Sequence, residues 1–339
     1  MGESASDLGE FALIERLLSR VRPFVGDGST FGPGDDAASL PVEGDSVLVT
    51  TDLLIEGIHF DLEISSFEDV GWKALAVNVS DIAAMGGEPS YALVGLGAPP
   101  EIAVADLERL YAGFGACARA FHVALAGGDS VRADRVTIAV TLLGNTGDAS
   151  PVRRNGAAVG DVVCVTGAVG GAAAGLALLR GAKEGDAGAV ALLERFPALA
   201  TSHRRPVPRV REGRGAATTG ATAMIDVSDG LGQDLDHIRA ASDAGASIAT
   251  SSVPISEGVE AVAEWRGVDP IRLAVGGGDD YELLITVKPG DLDALIAAVA
   301  PTPLTPIGEI IRGDRTTLVD GSDQIDLAGW GWDSFLEEE

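Results

Sequence analysis

The residues best suited to chemistry are aspartates set beside glycine, serine or threonine. They are Asp35 and Asp36 in GPGDDAA, Asp52 in TTDLL, Asp81 in NVSDIAAM, Asp129 in GGDS, Asp226 and Asp229 in IDVSDG, and Asp279 and Asp280 in GGGDDYE. Short carboxylates next to small residues place oxygen ligands close to the backbone. Hard cations such as Mg2+ are held by a few such groups together with water and substrate phosphates. Taken singly, each aspartate also fits a solvated loop or a helix cap in so acidic a chain. Asp81 fits that reading poorly, because it interrupts an apolar helical run where an unpaired carboxylate is costly. Asp226 closes an apolar strand, and Asp35 and Asp36 stand side by side although like charges repel. A shared divalent cation would account for all of these.

Other chemistries lack their residues. The chain has no G-x-x-x-x-G-K-[ST] phosphate loop, no H-E-x-x-H pair and no Cys/His cluster of zinc type. The glycine turn at 167–171 has irregular spacing and no acidic strand end after it. It reads as a strand-to-helix turn that permits close packing, rather than as a dinucleotide fingerprint.

These residues need elements to hold them. Apolar spacing predicts a helix over 10–21, a strand over 46–51 with Asp52 at its end, and a long apolar helix over 68–85 closed by Gly86 and Gly87. A strand is expected at 91–96, a helix at 104–121, a short strand at 123–125 leading to a Gly127-Gly128-Asp129 turn, and a strand at 136–143. The polar, Gly- and Arg-containing stretch 145–160 suggests a boundary near residue 150, which divides the chain into domains 1–149 and 150–339. The second half reads as strand 161–166, helix 171–180, a surface loop over 181–190, strand 222–227, helix 231–241, strand 281–287 and helix 291–299. Both halves mix strands and helices, so α/β and α+β domains are expected.

A chain of 339 residues comfortably makes two such domains, and its net charge of −27 argues against binding nucleic acid. Lysine is nearly absent, occurring only as Lys73, Lys183 and Lys288. That acidic, lysine-poor surface suits a salt-rich cytoplasm, and a GC-rich source would also favour arginine, alanine and glycine. Cys117 and Cys164 lie in apolar runs and read as buried, reduced thiols. The first residues lack the basic start and apolar core of a signal peptide, and no run is long and apolar enough to span a bilayer. A cytoplasmic location without membrane attachment is therefore expected.

In order, the segments GEFALIERL, GPGDDAA, TTDLLIEGIHF, KALAVNVSDIAAMGGEP, AGGDS, VRRNGA with GDVVCVTG, AGLALL, IDVSDGLGQDL, GGGDDYELL and GWDSF resemble the thiamine-monophosphate kinase family. That family lies in a superfamily with aminoimidazole ribonucleotide (AIR) synthetase and selenide, water dikinase. The resemblance covers nearly the whole chain, and TTDLLIEGIHF with NVSDIAAMGG separates it from the sibling synthetases. It implies a two-domain AIR-synthetase-like fold: an N-terminal α+β domain that binds ATP and metal and pairs with a second subunit in a barrel-like homodimer, and a C-terminal α/β domain that completes the cleft. It also implies the last step of thiamine diphosphate biosynthesis, in which ATP phosphorylates thiamine monophosphate.

By the same resemblance, Asp36, Thr50, Thr51, Asp52, Asp81, Asp129, Asp226 and Asp229 hold several Mg2+ ions, with Asp81 bridging them. Asp35 becomes a secondary turn residue. Gly128, Asp129, Arg154 and Ser228 contact ATP, and His59, Asp279 and Trp330 contact the substrate. Two positions depart from the family pattern. Asp279 stands where a glutamate is common, and the aromatic position near the C-terminus falls on Gly329, so Trp330 is taken with Trp332 as the alternative. A tryptophan there would equally close the C-terminal core.

The acceptor is a phosphate monoester with a second pKa of about 6, so it is largely a dianion at neutral pH. No general base and no phospho-enzyme are then expected. Two rival readings remain: a sibling synthetase that activates an amide by phosphorylation, and a non-catalytic, cation-loaded acidic protein.

Overall fold

The computed structural model describes residues 35–42 and 45–332. The expected helix at 10–21, the Gly-Pro-Gly of the GDD turn and the chain beyond Trp332 lie outside the described residues.

The first half is a five-stranded sheet in the order β1-β2-β5-β3-β4, formed by β1 (Ala38–Val42), β2 (Asp45–Ile55), β3 (Glu88–Ala98), β4 (Ala124–Arg132) and β5 (Thr137–Asn145). Only the β3–β4 pair is parallel. Two helices, α1 (Phe67–Ala84) and α2 (Val104–Ala120), pack beside it. Ser66 starts α1 as a capping box: its hydroxyl accepts from the Asp69 N–H, while the Asp69 carboxylate accepts from the Ser66 N–H. A Cβ on Gly71 would stand 2.0 Å from the Leu110 carbonyl oxygen, and one on Gly113 would stand 2.1 Å from that of Glu68. The α1–α2 crossing therefore depends on two glycines.

Helix α1 is buried on nearly every side, which explains its weak apolar–polar alternation. One side meets the first sheet, and the other meets the second half of the chain.

The second half is a seven-stranded sheet in the order β12-β11-β8-β10-β6-β9-β7. Its strands are β6 (Val162–Thr166), β7 (Ala221–Asp226), β8 (Gly245–Ala249), β9 (Leu283–Val287), β10 (Leu304–Ile311), β11 (Thr316–Asp320) and β12 (Asp323–Asp326). Between them run α3 (Gly171–Lys183), α4 (Ala187–Arg195), α5 (Pro197–Arg204), α6 (Val210–Thr218), α7 (Leu231–Ala241), α8 (Val259–Arg266), α9 (Pro270–Gly276) and α10 (Leu292–Val299). Helix α6 reaches α1 so closely that a Cβ on Gly213 would lie 2.1 Å from the Ala83 carbonyl oxygen.

Three sequence expectations need correction. Asp52 lies inside β2, which runs three residues further, because β5 pairs with β2 as far as Ile55. Gly127-Gly128-Asp129 is strand, not turn: Gly128 tolerates no side chain there, since a Cβ would meet the Val94 carbonyl oxygen at 1.9 Å. Residues 181–190 are mostly helical, and the Asp186 side chain caps α4 by accepting from the Ala189 N–H.

Candidate active site

Four carboxylates from separate segments converge where α1 meets the body of β2 and the end of β7. Asp36 precedes β1, Asp52 lies on β2, Asp81 on the last turns of α1, and Asp226 ends β7. Carboxylate oxygens of Asp36, Asp81 and Asp226 lie within 4.8 Å of one another. Thr50 donates its hydroxyl to Asp81 Oδ2 at 2.5 Å, and Asn78 accepts the Asp52 N–H at 3.2 Å.

Without a cation this arrangement is under electrostatic strain. Burial, then the charges of Asp52, Asp226 and Asp36, push the Asp81 carboxyl well above the usual carboxylate range. Burial and Asp36 raise Asp226 likewise. Asp52 is pushed up to about 6, mainly by burial, with hydrogen bonding to Asp81 opposing. Asp226 is 2% exposed, and its Oδ2 has no hydrogen-bond partner among the described residues. Buried carboxylate oxygens of this kind call for a counter-charge, and an all-oxygen donor set fits Mg2+.

The Asp35–Asp36 repulsion is answered within the protein. Arg154 grips Asp36 with two donors, Nη2 at 2.7 Å and Nε at 3.3 Å. Arg153 Nε donates to Asp35 at 3.0 Å, and the Arg154 N–H donates to the other Asp35 oxygen at 2.8 Å. These guanidinium contacts act in addition to any cation held by Asp36. Two adjacent arginines between β5 and β6 match two adjacent aspartates, because a guanidinium meets a carboxylate in a planar fork.

Beyond Asp226 the chain turns through Ser228, Asp229 and Gly230. Their three N–H groups all donate to Asp234 Oδ2, at 3.1, 3.2 and 3.1 Å. Asp229, Asp234 and His237 form a second set of potential ligands within 4.8 Å of one another.

The remaining expected residues lie at different distances from the cluster. Thr51 projects to the opposite face of β2, where its hydroxyl donates to the Val140 carbonyl and meets Thr141. Gly128 and Asp129 are on β4, the exposed edge strand, three strands from β2. Register puts Asp129 in one row with Gly95, Ala139 and Leu53, on the outer face away from Asp81. The fold of the chain thus does not bring Asp129 to the cluster. His59 sits in the turn after β2, its Nδ1 accepting the Ile55 N–H at 3.1 Å. Trp330 packs against the core of the second sheet, with the Arg272 guanidinium 5.2 Å from its ring centroid. Trp332 follows over the turn, donating its N–H to the Asp229 carbonyl.

Asp279 is bound from several directions. Lys73 Nζ donates to its Oδ2 at 2.6 Å and the Tyr281 hydroxyl to its Oδ1 at 3.0 Å. Its backbone is left-handed, with φ 68°. Its neighbour Asp280 accepts the N–H groups of Gly170 and Ala172 at the start of α3. Sequence reasoning passed over Lys73, Arg153 and Asp234. Lys73 carried a usable signal, since it is a charge inside the same apolar run as Asp81. Arg153 and Asp234 matter only through contacts that folding creates.

Comparison with known proteins agrees with this architecture. Residues 34–146 match the AIR synthase related protein, N-terminal domain, and residues 158–321 match the corresponding C-terminal domain. Fold and site thus define an AIR synthase-related protein of two domains. Thiamine-monophosphate kinase of Mycobacterium tuberculosis is 36% identical over 325 residues, covering 95% of this chain and 91% of that one. The Bacillus subtilis enzyme of the same name is 35% identical, covering 94% and 97%. The solved structure described as AaThiL complexed with AMPPCP and TMP superimposes with a TM-score of 0.82 at 32% identity, covering 98% of this chain and 99% of that one. The chain belongs to the thiamine-monophosphate kinase family.

Proposed function

We propose that the protein transfers the γ-phosphoryl group of ATP directly to thiamine monophosphate, giving thiamine diphosphate and ADP. The observation that carries this reading is the convergence of the carboxylates of Asp36, Asp81 and Asp226, with a buried Asp226 oxygen that has no partner among the described residues, in a chain similar throughout to a protein solved with AMPPCP and TMP.

Bound Mg2+ would neutralise the two polyanions and favour in-line transfer between them. Asp36, Asp52, Asp81, Asp226 and Asp229 would hold the ions, with Thr50 orienting Asp81 through its hydroxyl. Asp129 and Thr51 lie on the outer face of the sheet, so an ion they held would be separate from this cluster. Gly128, Asp129, Arg154 and Ser228 would meet ATP. Arg154 is pre-aligned by Asp36, and the three N–H groups on Asp234 hold the turn containing Ser228. His59, Asp279 and Trp330 would meet the acceptor. His59 already accepts a backbone N–H at Nδ1, which supports an orienting role rather than that of a base. The acceptor dianion needs none.

We further infer two units, 1–149 and 150–339, with the cleft between them, and a homodimer in the cytoplasm. Support for the dimer is the outer face of the first sheet, where Leu53, Tyr91, Leu93 and Val131 are 52%, 57%, 44% and 61% exposed. Apolar sheet faces of this kind are normally covered. Asp129 shares that face, which would put its contacts at the subunit boundary. Among the described residues, no helix is long and apolar enough to cross a membrane.

The test is product identification by mass after incubation with Mg-ATP and thiamine monophosphate, at low and high KCl. Thiamine diphosphate that requires both substrates, and that Asp81→Asn abolishes, is the expected result. ADP release without thiamine diphosphate under every condition would refute the reading and point to a different acceptor.

A further inference from the structure

Lys73 is one of three lysines in the chain and is 4% exposed. It sits on α1 of the first unit, yet its ammonium reaches the second unit and donates to Asp279 Oδ2 at 2.6 Å. A buried lysine is costly unless paired. Here the pairing joins the two units at a residue whose backbone is itself unusual.

Asp279 and Tyr281 are both left-handed, with φ 68° and 51°. Such geometry is strained for a non-glycine residue and persists only where the surroundings impose it. Backbone bonds impose it in part: the Asp279 N–H donates to the Ser228 carbonyl and the Tyr281 N–H to that of Val227, both at 2.8 Å. The side chain is fixed separately, by Lys73 on one oxygen and Tyr281 on the other. The buried His203 Nδ1 stands 3.7 Å from Oδ2. About a third of the Asp279 side chain remains exposed, whereas the Lys73 side chain is 5% exposed. Part of the Asp279 side chain is therefore accessible while its counter-ion is buried.

Helix α1 connects this contact to the metal cluster. Lys73 and Asp81 are eight residues apart on one rigid helix, about 12 Å along its axis. At one end Lys73 pins the Asp279 loop. At the other, Asp81 faces Asp226 at the end of β7. The same helix thus sets the spacing between Asp279 and the carboxylate cluster.

We propose that Lys73 is a positioning residue. Through Asp279 it aims a carboxylate at the amine-bearing organic half of the acceptor, and through α1 it keeps that half at a fixed distance from the ions. A carboxylate there accepts hydrogen bonds from an amine and repels a phosphate, so it selects the acceptor's orientation. The inference rests on the function proposed above, and it assigns Lys73 no contact with substrate.

The experiment is steady-state kinetics on Lys73→Met, Asp279→Asn and the double variant, varying thiamine monophosphate and ATP separately. Lys73→Met keeps the stem length and removes the charge. The expected result is a KM for thiamine monophosphate at least tenfold higher in each single variant, a KM for ATP within twofold of wild type, and a double variant no worse than the poorer single. A purely structural loss of packing would change both KM values or lower kcat for both substrates together. That outcome, an unchanged KM for thiamine monophosphate, or additive effects in the double variant would overturn the inference. If Lys73→Met does not fold, Asp279→Asn and Lys73→Arg decide it: a selective KM rise in the first and a smaller one in the second support it, and equal shifts for both substrates refute it. Wild-type protein without activity on thiamine monophosphate would instead remove the proposed function, and this inference with it.

Discussion

Asp226→Asn distinguishes a cation site from a merely acidic crevice. Asp226 is 2% exposed, and carboxylate oxygens of Asp36 and Asp81 lie within 4.8 Å. At that separation two unit charges repel by roughly 3.5 kcal/mol for an effective dielectric constant of about 20. Proton uptake relieves part of this, as the upward-shifted Asp81 and Asp226 carboxyls indicate, so a smaller penalty remains in the metal-free protein. A neutral amide removes that penalty and can donate to the neighbouring carboxylates. In EDTA the variant should therefore melt above wild type, by at most about 5 °C for a chain of this length. Saturating Mg2+ reverses the order. A ligand at a hundred times its Kd stabilises by about 2.7 kcal/mol, and the variant lacks the ligand that completes the set. Thermal unfolding in EDTA and in MgCl2 measures both effects. A variant that melts below wild type in EDTA and gains as much from Mg2+ would refute the reasoning.

Acidification should destabilise the protein through His203. Burial, then Lys73, lower its pKa to about 3, with Asp279 opposing. The unfolded chain takes up a proton near pH 6.5 while the folded state does not, so the unfolded state binds more protons between these values and stability falls as pH falls. The loss is about 2 kcal/mol at pH 5, and His203→Gln should flatten the urea-midpoint profile over pH 5–7 by that amount. Gly71→Ala, which drives a Cβ to 2.0 Å from the Leu110 carbonyl oxygen, should cost at least ~2 kcal/mol in urea unfolding by forcing α1 and α2 apart. Leu93→Arg on the exposed face of β3 should leave the monomer folded and shift sedimentation from dimer to monomer; an unchanged mass would exclude that face as the interface.

The sequence alone determined the identity of the chemical groups and much of the local structure. Asp81 was legible because a carboxylate in an apolar helix is costly wherever the helix packs. Asp226 was legible as the end of an apolar strand, and α1 and α7 followed from residue spacing and flanking glycines. What only the tertiary structure decided is which groups meet. Arg153 and Arg154 neutralise residues 118 positions earlier in the chain, and Lys73 pairs with Asp279 across 206 positions. Local pattern carries no information about such contacts. The same holds for the side on which a residue lies: Thr50 and Thr51 are adjacent in sequence, yet strand alternation sends one hydroxyl to Asp81 and the other to the outer face. The glycines beside Asp129 favour a turn, and pairing with β3 draws it into an edge strand. Periodicity reports what a segment can bury, and the packing of α1 between two sheets sets which carboxylates share a site.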